Sequence, residues 1–139
     1  MTNPRSRMKG PIRARLWISG GDPSAVTKLL GIQPDWTAAK GDLISSFGRS
    51  RRKDSVWELM GSAEGNPLDV EPYVKSILVR IAGVKDRIAK LDRKIFSVEV
   101  CIGIDMNESE STPSFGLSPE VLTALVEIKA ELDVDMHCG

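Results

Sequence analysis

The sequence predicts one α+β domain in the form of a two-layer sandwich, with the helices on one face of a mainly antiparallel sheet. In several short segments apolar and polar residues alternate, which is typical of strands with one buried face. Between them lie segments whose apolar residues recur three and four positions apart, the spacing of a helix. The order is β-α-β-β-α-β and then α-β, so we expect a ferredoxin-like core with an added helix and strand.

The first strand and helix have clear local signals. Residues 14–19 alternate as a strand, and a helix is expected to follow. Asp22 can cap its free backbone N–H groups, Pro23 suits its first position, and Gly31 supplies the left-handed residue that ends it. A weak strand is predicted over residues 36–40.

The middle of the chain predicts a strand and a long helix. Residues 55–60 form the strand, in which Trp57 and Leu59 share one face and Glu58 lies on the other. Helical spacing then extends over residues 70–91. Glycine costs roughly 1 kcal/mol inside a helix, so a kink or break is expected at Gly83.

The last part of the chain predicts a strand, a helix and a strand. Residues 94–104 show the strongest alternation in the sequence. Ser118 and Pro119 form a second cap-and-proline helix start. Residues 132–138 alternate again as a closing strand.

Composition is that of an ordinary globular protein, with 41% apolar and 27% charged residues. Residues 1–13 form a basic leader that is expected to be flexible, and residues 14–139 form the domain. The leader lacks the apolar run of a secretion signal, and no window has the roughly 18 apolar residues that span a bilayer. We therefore expect a cytoplasmic protein of bacterial type with no membrane partner. Cys101 and Cys138 are interpreted as reduced thiols.

Charge is distributed unevenly although the total is zero. Residues 1–53 contain eleven Lys and Arg against three Asp and Glu, a net charge of +8, and residues 54–139 carry −8. Opposite poles favour a charged protein partner or head-to-tail association between copies of the chain. A neutral total argues against a dedicated nucleic-acid binder.

Short motifs spread over residues 14–137 add a family resemblance. They are Leu16-x-Ile18-Ser19-Gly20-x-Asp22-Pro23, Leu30-Gly31-Ile32-x-Pro34, Lys40-Gly41-Asp42, Val56-Trp57 and Leu132-Asp133-Val134-Asp135-Met136. In order and spacing the chain resembles a bacterial family catalogued as domain of unknown function 4279. The resemblance implies a compact α+β fold and brings no activity, cofactor or catalytic residue with it.

A basic stretch within residues 46–54 is the main candidate site. Its charged residues, Arg49, Arg51, Arg52 and Lys53, are the predicted contact for an anionic partner. With the basic leader they would also suit single-stranded nucleic acid, whose bases could stack on Phe47, Trp36 or Trp57. A solvated basic hairpin is the simpler interpretation of the same residues.

A weaker candidate is the polar cluster of Asp133, Asp135 and His137, which would share one face of the closing strand. Two carboxylates and an imidazole could hold a divalent cation. Side chains about 6–7 Å apart along a strand converge poorly on one ion, so a solvent-facing polar row is the alternative and no metal or other cofactor is predicted. Cys101 has no adjacent base that would make it a nucleophile.

These observations favour a non-enzymatic binding module that acts through protein–protein contacts, of the bacterial immunity or accessory type. Single-stranded nucleic-acid binding through the leader and residues 49–53 remains an alternative. A further alternative is a small-ligand binder or enzyme with a pocket on the sheet, near Trp57 or His137.

Overall fold

The structure is a computed structural model that describes residues 10–43, 51–106 and 113–137. Its strands are β1 (Ile12–Ser19), β2 (Trp36–Ala38), β3 (Val56–Met60), β4 (Ser97–Asp105) and β5 (Glu131–His137). Its helices are α1 (Pro23–Leu30), α2 (Glu71–Ile81), α3 (Lys85–Ala89) and α4 (Pro119–Glu127). The predicted α+β class is confirmed.

The five strands form one open sheet in the order β2-β3-β1-β4-β5. Strand β1 runs antiparallel to both β3 and β4, and β2 runs antiparallel to β3. Strand β5 is parallel to β4, because the chain crosses over through α4 before it returns to the sheet. The sheet is therefore mixed, and the antiparallel arrangement that the sequence predicts holds for three of its four strand pairs.

The predicted start and end of the first helix are confirmed. The Asp22 carboxylate accepts a hydrogen bond from the Ser24 backbone N–H at 3.0 Å, which satisfies one of the free donors at the start of α1. Gly31 ends the helix with a φ of 70°, and its N–H donates to the Thr27 carbonyl.

The long predicted helix is divided at the expected place. Helix α2 ends at Ile81, a 3₁₀ turn covers Ala82–Val84, and α3 begins at Lys85. Gly83 lies in the middle of this turn, as its low helix propensity predicts. Ile81 before the turn and Ile88 after it are both fully buried.

The core lies between the helices and one face of the sheet. Strand β1 contributes Ile12, Ala14, Leu16 and Ile18, which are joined by Val98, Val100, Ile102 and Ile104 of β4 and by buried residues of all four helices. Trp57 of β3 is fully buried in this cluster and donates a hydrogen bond from Nε1 to the Thr27 hydroxyl at 3.0 Å.

Several strand boundaries differ by one to three residues from the sequence-based expectation, those of β1 and β4 among them. Strand β1 begins at Ile12, inside the predicted leader, while residues 1–9 lie outside the described part of the chain. Strand β4 begins at Ser97 because the backbone N–H groups of Ile95 and Phe96 donate to the Asp92 carbonyl and form a turn. That turn approaches Gly20 so closely that a Cβ there would lie 2.1 Å from the Ile95 carbonyl oxygen.

Candidate binding face of the sheet

The second face of the sheet presents the residues that alternate with the core. We call it the open face, and it comprises Arg13, Arg15, Trp17 and Ser19 of β1 with the residues in register beside them on the other strands. None of these β1 side chains belongs to the cluster that joins the helices to the sheet. The open face is therefore where the sheet itself can meet a ligand.

A row of aromatic and acidic residues crosses the open face. Trp36 pairs with Glu58, and Glu58 pairs with Trp17. Trp17 pairs in turn with Glu99, which pairs with Glu131 at the far edge. The row brings together one residue from each of the five strands, and its two members farthest apart in sequence are Trp17 and Glu131.

Glu58 lies between the two tryptophans of this row and is fully buried. Its Oε1 accepts a hydrogen bond from Trp17 Nε1 at 2.6 Å, and Arg15 Nη1 lies 4.0 Å from the same oxygen. A buried carboxylate is costly unless it has such partners. The sequence places Glu58 correctly on the face opposite Trp57, but it does not reveal that this face buries it.

Both tryptophans of the row lie beneath guanidinium groups. The Arg15 guanidinium carbon is 5.0 Å from the centre of the Trp17 ring, and that of Arg52 is 4.7 Å from the centre of the Trp36 ring. These distances suit cation–π attraction. The open face therefore combines flat aromatic area with positive charge.

The predicted basic stretch is anchored to the sheet through a paired stem. The backbone N–H of Gly41 donates to the Arg52 carbonyl, and the N–H of Arg52 donates to the Asp42 carbonyl. Arg51 also donates from its side chain to the Gly41 carbonyl at 2.8 Å. Arg49 and Phe47 lie outside the described residues.

The three described basic residues of the stretch line one cleft. The cleft measures about 720 Å³ and is open to solvent, and its walls are Trp17, Ser19, Arg51, Arg52, Lys53, Asp54, Val56, Ser97 and Glu99. Lys53 is exposed there and has no hydrogen bond or ion pair with another described residue. Sequence reasoning identified the basic side of this cleft but missed Trp17 and Glu99, because the strand register alone brings them together.

The cleft turns acidic toward β5. Burial raises the pKa of Glu99, and the neighbouring carboxylates of Asp133 and Glu131 raise it further. Burial, with the nearby Glu99 carboxylate, also raises the pKa of Cys101 to about 12. The Cys101 thiol is thus protonated at neutral pH and is a poor nucleophile.

The polar cluster predicted on β5 and the predicted stacking residue Trp57 differ in their positions relative to the open face. The register puts Asp133 and Asp135 on the open-face side of β5, and the backbone of His137 pairs with Asp105 of β4. Within residues 10–43, 51–106 and 113–137, no three His, Cys, Asp or Glu side chains are grouped so that they could hold a metal ion. Trp57 cannot stack on a nucleic-acid base, because the core buries it.

No helix in the described part of the chain is long and apolar enough to cross a bilayer.

Fold and site together define a small α+β domain with a mixed five-stranded sheet and an aromatic, charged open face. The family described as Domain of unknown function (DUF4279) matches residues 10–139, so the chain belongs to this family and the predicted resemblance is confirmed. No curated protein and no solved structure matches the chain.

Proposed function

We propose that this protein is a non-catalytic binding module that holds a protein partner on the open face, with an acidic segment of that partner in the cleft. The observation that carries the proposal is the convergence of Arg51, Arg52 and Lys53 with Trp17 on one cleft. Arginine and tryptophan are the residues that most often dominate binding energy at protein interfaces. A cleft that combines both supplies flat contact area and charge-assisted hydrogen bonds to carboxylates.

The chemistry of the open face favours binding over catalysis. Cys101 is protonated at neutral pH because its pKa is about 12. The Glu58 carboxylate is buried against the Trp17 indole and acts as an internal support of the face. Among the residues that line the cleft, the three basic residues 51–53 outnumber the two acidic ones, Asp54 and Glu99, so the cleft suits an anionic partner.

Two finer assignments belong to the same proposal. The role would be that of a bacterial accessory or immunity-type protein, in which a charged surface selects one partner.

The elements β1 to β4 with α1 and α2 would form a ferredoxin-like core to which α4 and β5 are added. The strand order β2-β3-β1-β4 supports this core, since split βαβ units interleave in this way.

Charge reversal at Lys53 is the sharpest test of the cleft. Lys53→Glu changes an exposed residue whose side chain bonds to no other described residue, so the fold is expected to survive. Lys90→Glu is the matched control, because Lys90 is also exposed and lies at the end of α3, outside the cleft. Wild type and both variants are immobilised, and proteins captured from the native extract are quantified by mass spectrometry.

The expected partner is retained by the wild type and by Lys90→Glu and is lost with Lys53→Glu. After purification it should bind about tenfold more weakly to Lys53→Glu, and its affinity should fall as salt is raised from about 50 to about 200 mM. A partner that binds both variants equally, or a wild type that binds nothing at low salt, contradicts the proposal.

Single-stranded nucleic acid is the second candidate, and the placement of Trp36 favours it. Trp36 lies on the open face beneath Arg52, beside the basic cleft, where a base could stack. The carboxylates of Glu99 and Glu131 in the same row would repel phosphates. Fluorescence anisotropy of a labelled oligothymidine decides between the two candidates. Tight binding that weakens steeply as salt is raised, and that is lost in Lys53→Glu, would show that the partner is nucleic acid and not a protein.

A further inference from the structure

Strand β5 forms one edge of the sheet. It is seven residues long, and among the described residues it pairs with β4 alone. An edge strand presents a row of backbone N–H and C=O groups to any chain that can pair with it, and proteins block such edges with proline, with bulges or with charged side chains, most often lysine. The sequence of β5, Glu-Leu-Asp-Val-Asp-Met-His, contains neither proline nor lysine, and its register with β4 is continuous.

The apolar row of the core continues onto this edge and is left uncovered there. Leu132, Val134 and Met136 stand in register with the buried residues Val100, Ile102 and Ile104 of β4. They are 40%, 38% and 59% exposed, respectively. Alternate residues of β5 thus offer an apolar strip on the helix side of the sheet.

The other row of β5 is acidic. Glu131 and Asp133 lie on the open-face side, next to Glu99 and Cys101 of β4. Their negative field is strong enough to help raise the pKa of Glu99. A strand that pairs with β5 must therefore meet apolar side chains on one face and carboxylates on the other.

A second copy of the chain does not satisfy this pattern. If two β5 strands pair antiparallel about a two-fold axis with matching faces, the acidic residues of one lie opposite those of the other, and like charges destabilise such pairs. A shift by one residue puts carboxylates opposite the apolar strip instead. Both registers disfavour pairing between copies.

We propose that the β5 edge binds an extended segment of a different protein, in which lysine or arginine alternates with apolar residues, as a sixth strand of the sheet. Backbone hydrogen bonds would supply affinity, and the alternating side chains would supply specificity. The basic residues of the segment would face Glu131 and Asp133, and its apolar residues would cover Leu132 and Val134. This surface is separate from Lys53 and the basic part of the cleft.

The test uses a blocked seven-residue peptide in which lysine and valine alternate, titrated into the full-length protein. Two control peptides have the same composition in two blocks, or glutamate in place of lysine. The alternating lysine peptide should bind and should shift and protect the β5 amides in ¹H–¹⁵N spectra. Asp133→Lys should weaken binding about tenfold, while the exposed control Glu64→Lys leaves it unchanged.

Several results would overturn the proposal. Equal binding of the block peptide would show general charge attraction without strand pairing. No binding, or binding that leaves the β5 amides unshifted, would remove the docking edge. Nuclear Overhauser contacts across β5 to a second copy, or to residues 1–9 of the same chain, would identify a different occupant.

Discussion

Replacing Trp17 by phenylalanine will remove the indole N–H that Glu58 accepts at 2.6 Å while keeping an aromatic ring on the open face. Glu58 is fully buried, so water cannot replace the lost indole donor. A hydrogen bond to a charged group contributes about 1.5–3 kcal/mol, and leaving a buried acceptor unsatisfied costs a similar amount. We therefore expect Trp17→Phe to lower the free energy of unfolding by about 2 kcal/mol.

A double-mutant cycle separates this bond from the smaller volume of phenylalanine. Glu58→Gln keeps an acceptor of the same shape but removes its charge, so part of the penalty for Trp17→Phe should disappear in that background. We expect a coupling free energy of about 1 kcal/mol between the two positions. Urea unfolding followed by circular dichroism measures it, provided that the slopes of all four transitions agree. Effects that add to within about 0.3 kcal/mol would refute the support role assigned to Glu58.

Three further predictions concern stability and reactivity. Gly20→Ala should cost more than about 2 kcal/mol, because φ is 110° and the new Cβ meets a carbonyl oxygen, whereas Gly83→Ala should stabilise by about 0.5 kcal/mol in open space. Comparable urea midpoints for the two variants would contradict this. The folded-state pKa of Glu99 is raised, so the folded protein binds more protons just above pH 4.5, and the wild type should lose stability relative to Glu99→Gln as pH rises through that region. Curves of unfolding free energy against pH that are parallel for the wild type and Glu99→Gln would contradict this prediction. The pKa of Cys101 is raised to about 12, so in a Cys138→Ser background this thiol should react with a disulfide reagent about a thousandfold more slowly in the folded protein than in urea. Rapid labelling of the folded protein would contradict this prediction.

The parts of the fold that the sequence predicts well depend on local chemistry. Asp22 and Gly31 mark the ends of α1 through groups only a few residues away, and Gly83 breaks a helix by its own low propensity. Alternation assigned Trp57 and Glu58 to opposite faces for the same reason. None of these features depends on residues distant in sequence.

The composition of the open face depends on strand register, which local patterns do not contain. Glu58 is a polar residue of an alternating strand, and nothing near it in sequence indicates that Trp17 and Trp36 lie on either side. The parallel course of β5 likewise depends on where α4 returns the chain. For the candidate site, sequence reasoning found the basic residues 51–53 and missed the aromatic and acidic walls.

The three tryptophans provide the most direct test of the binding face. Trp17 and Trp36 lie on the open face, and Trp57 is buried on the opposite side of the sheet. Their indole N–H groups give three separate signals in a ¹H–¹⁵N spectrum of the labelled protein. When the captured partner is added, the signals of Trp17 and Trp36 should shift while that of Trp57 stays in place. A partner that binds and leaves the Trp17 and Trp36 signals unmoved would contradict the assignment of the open face as the contact surface.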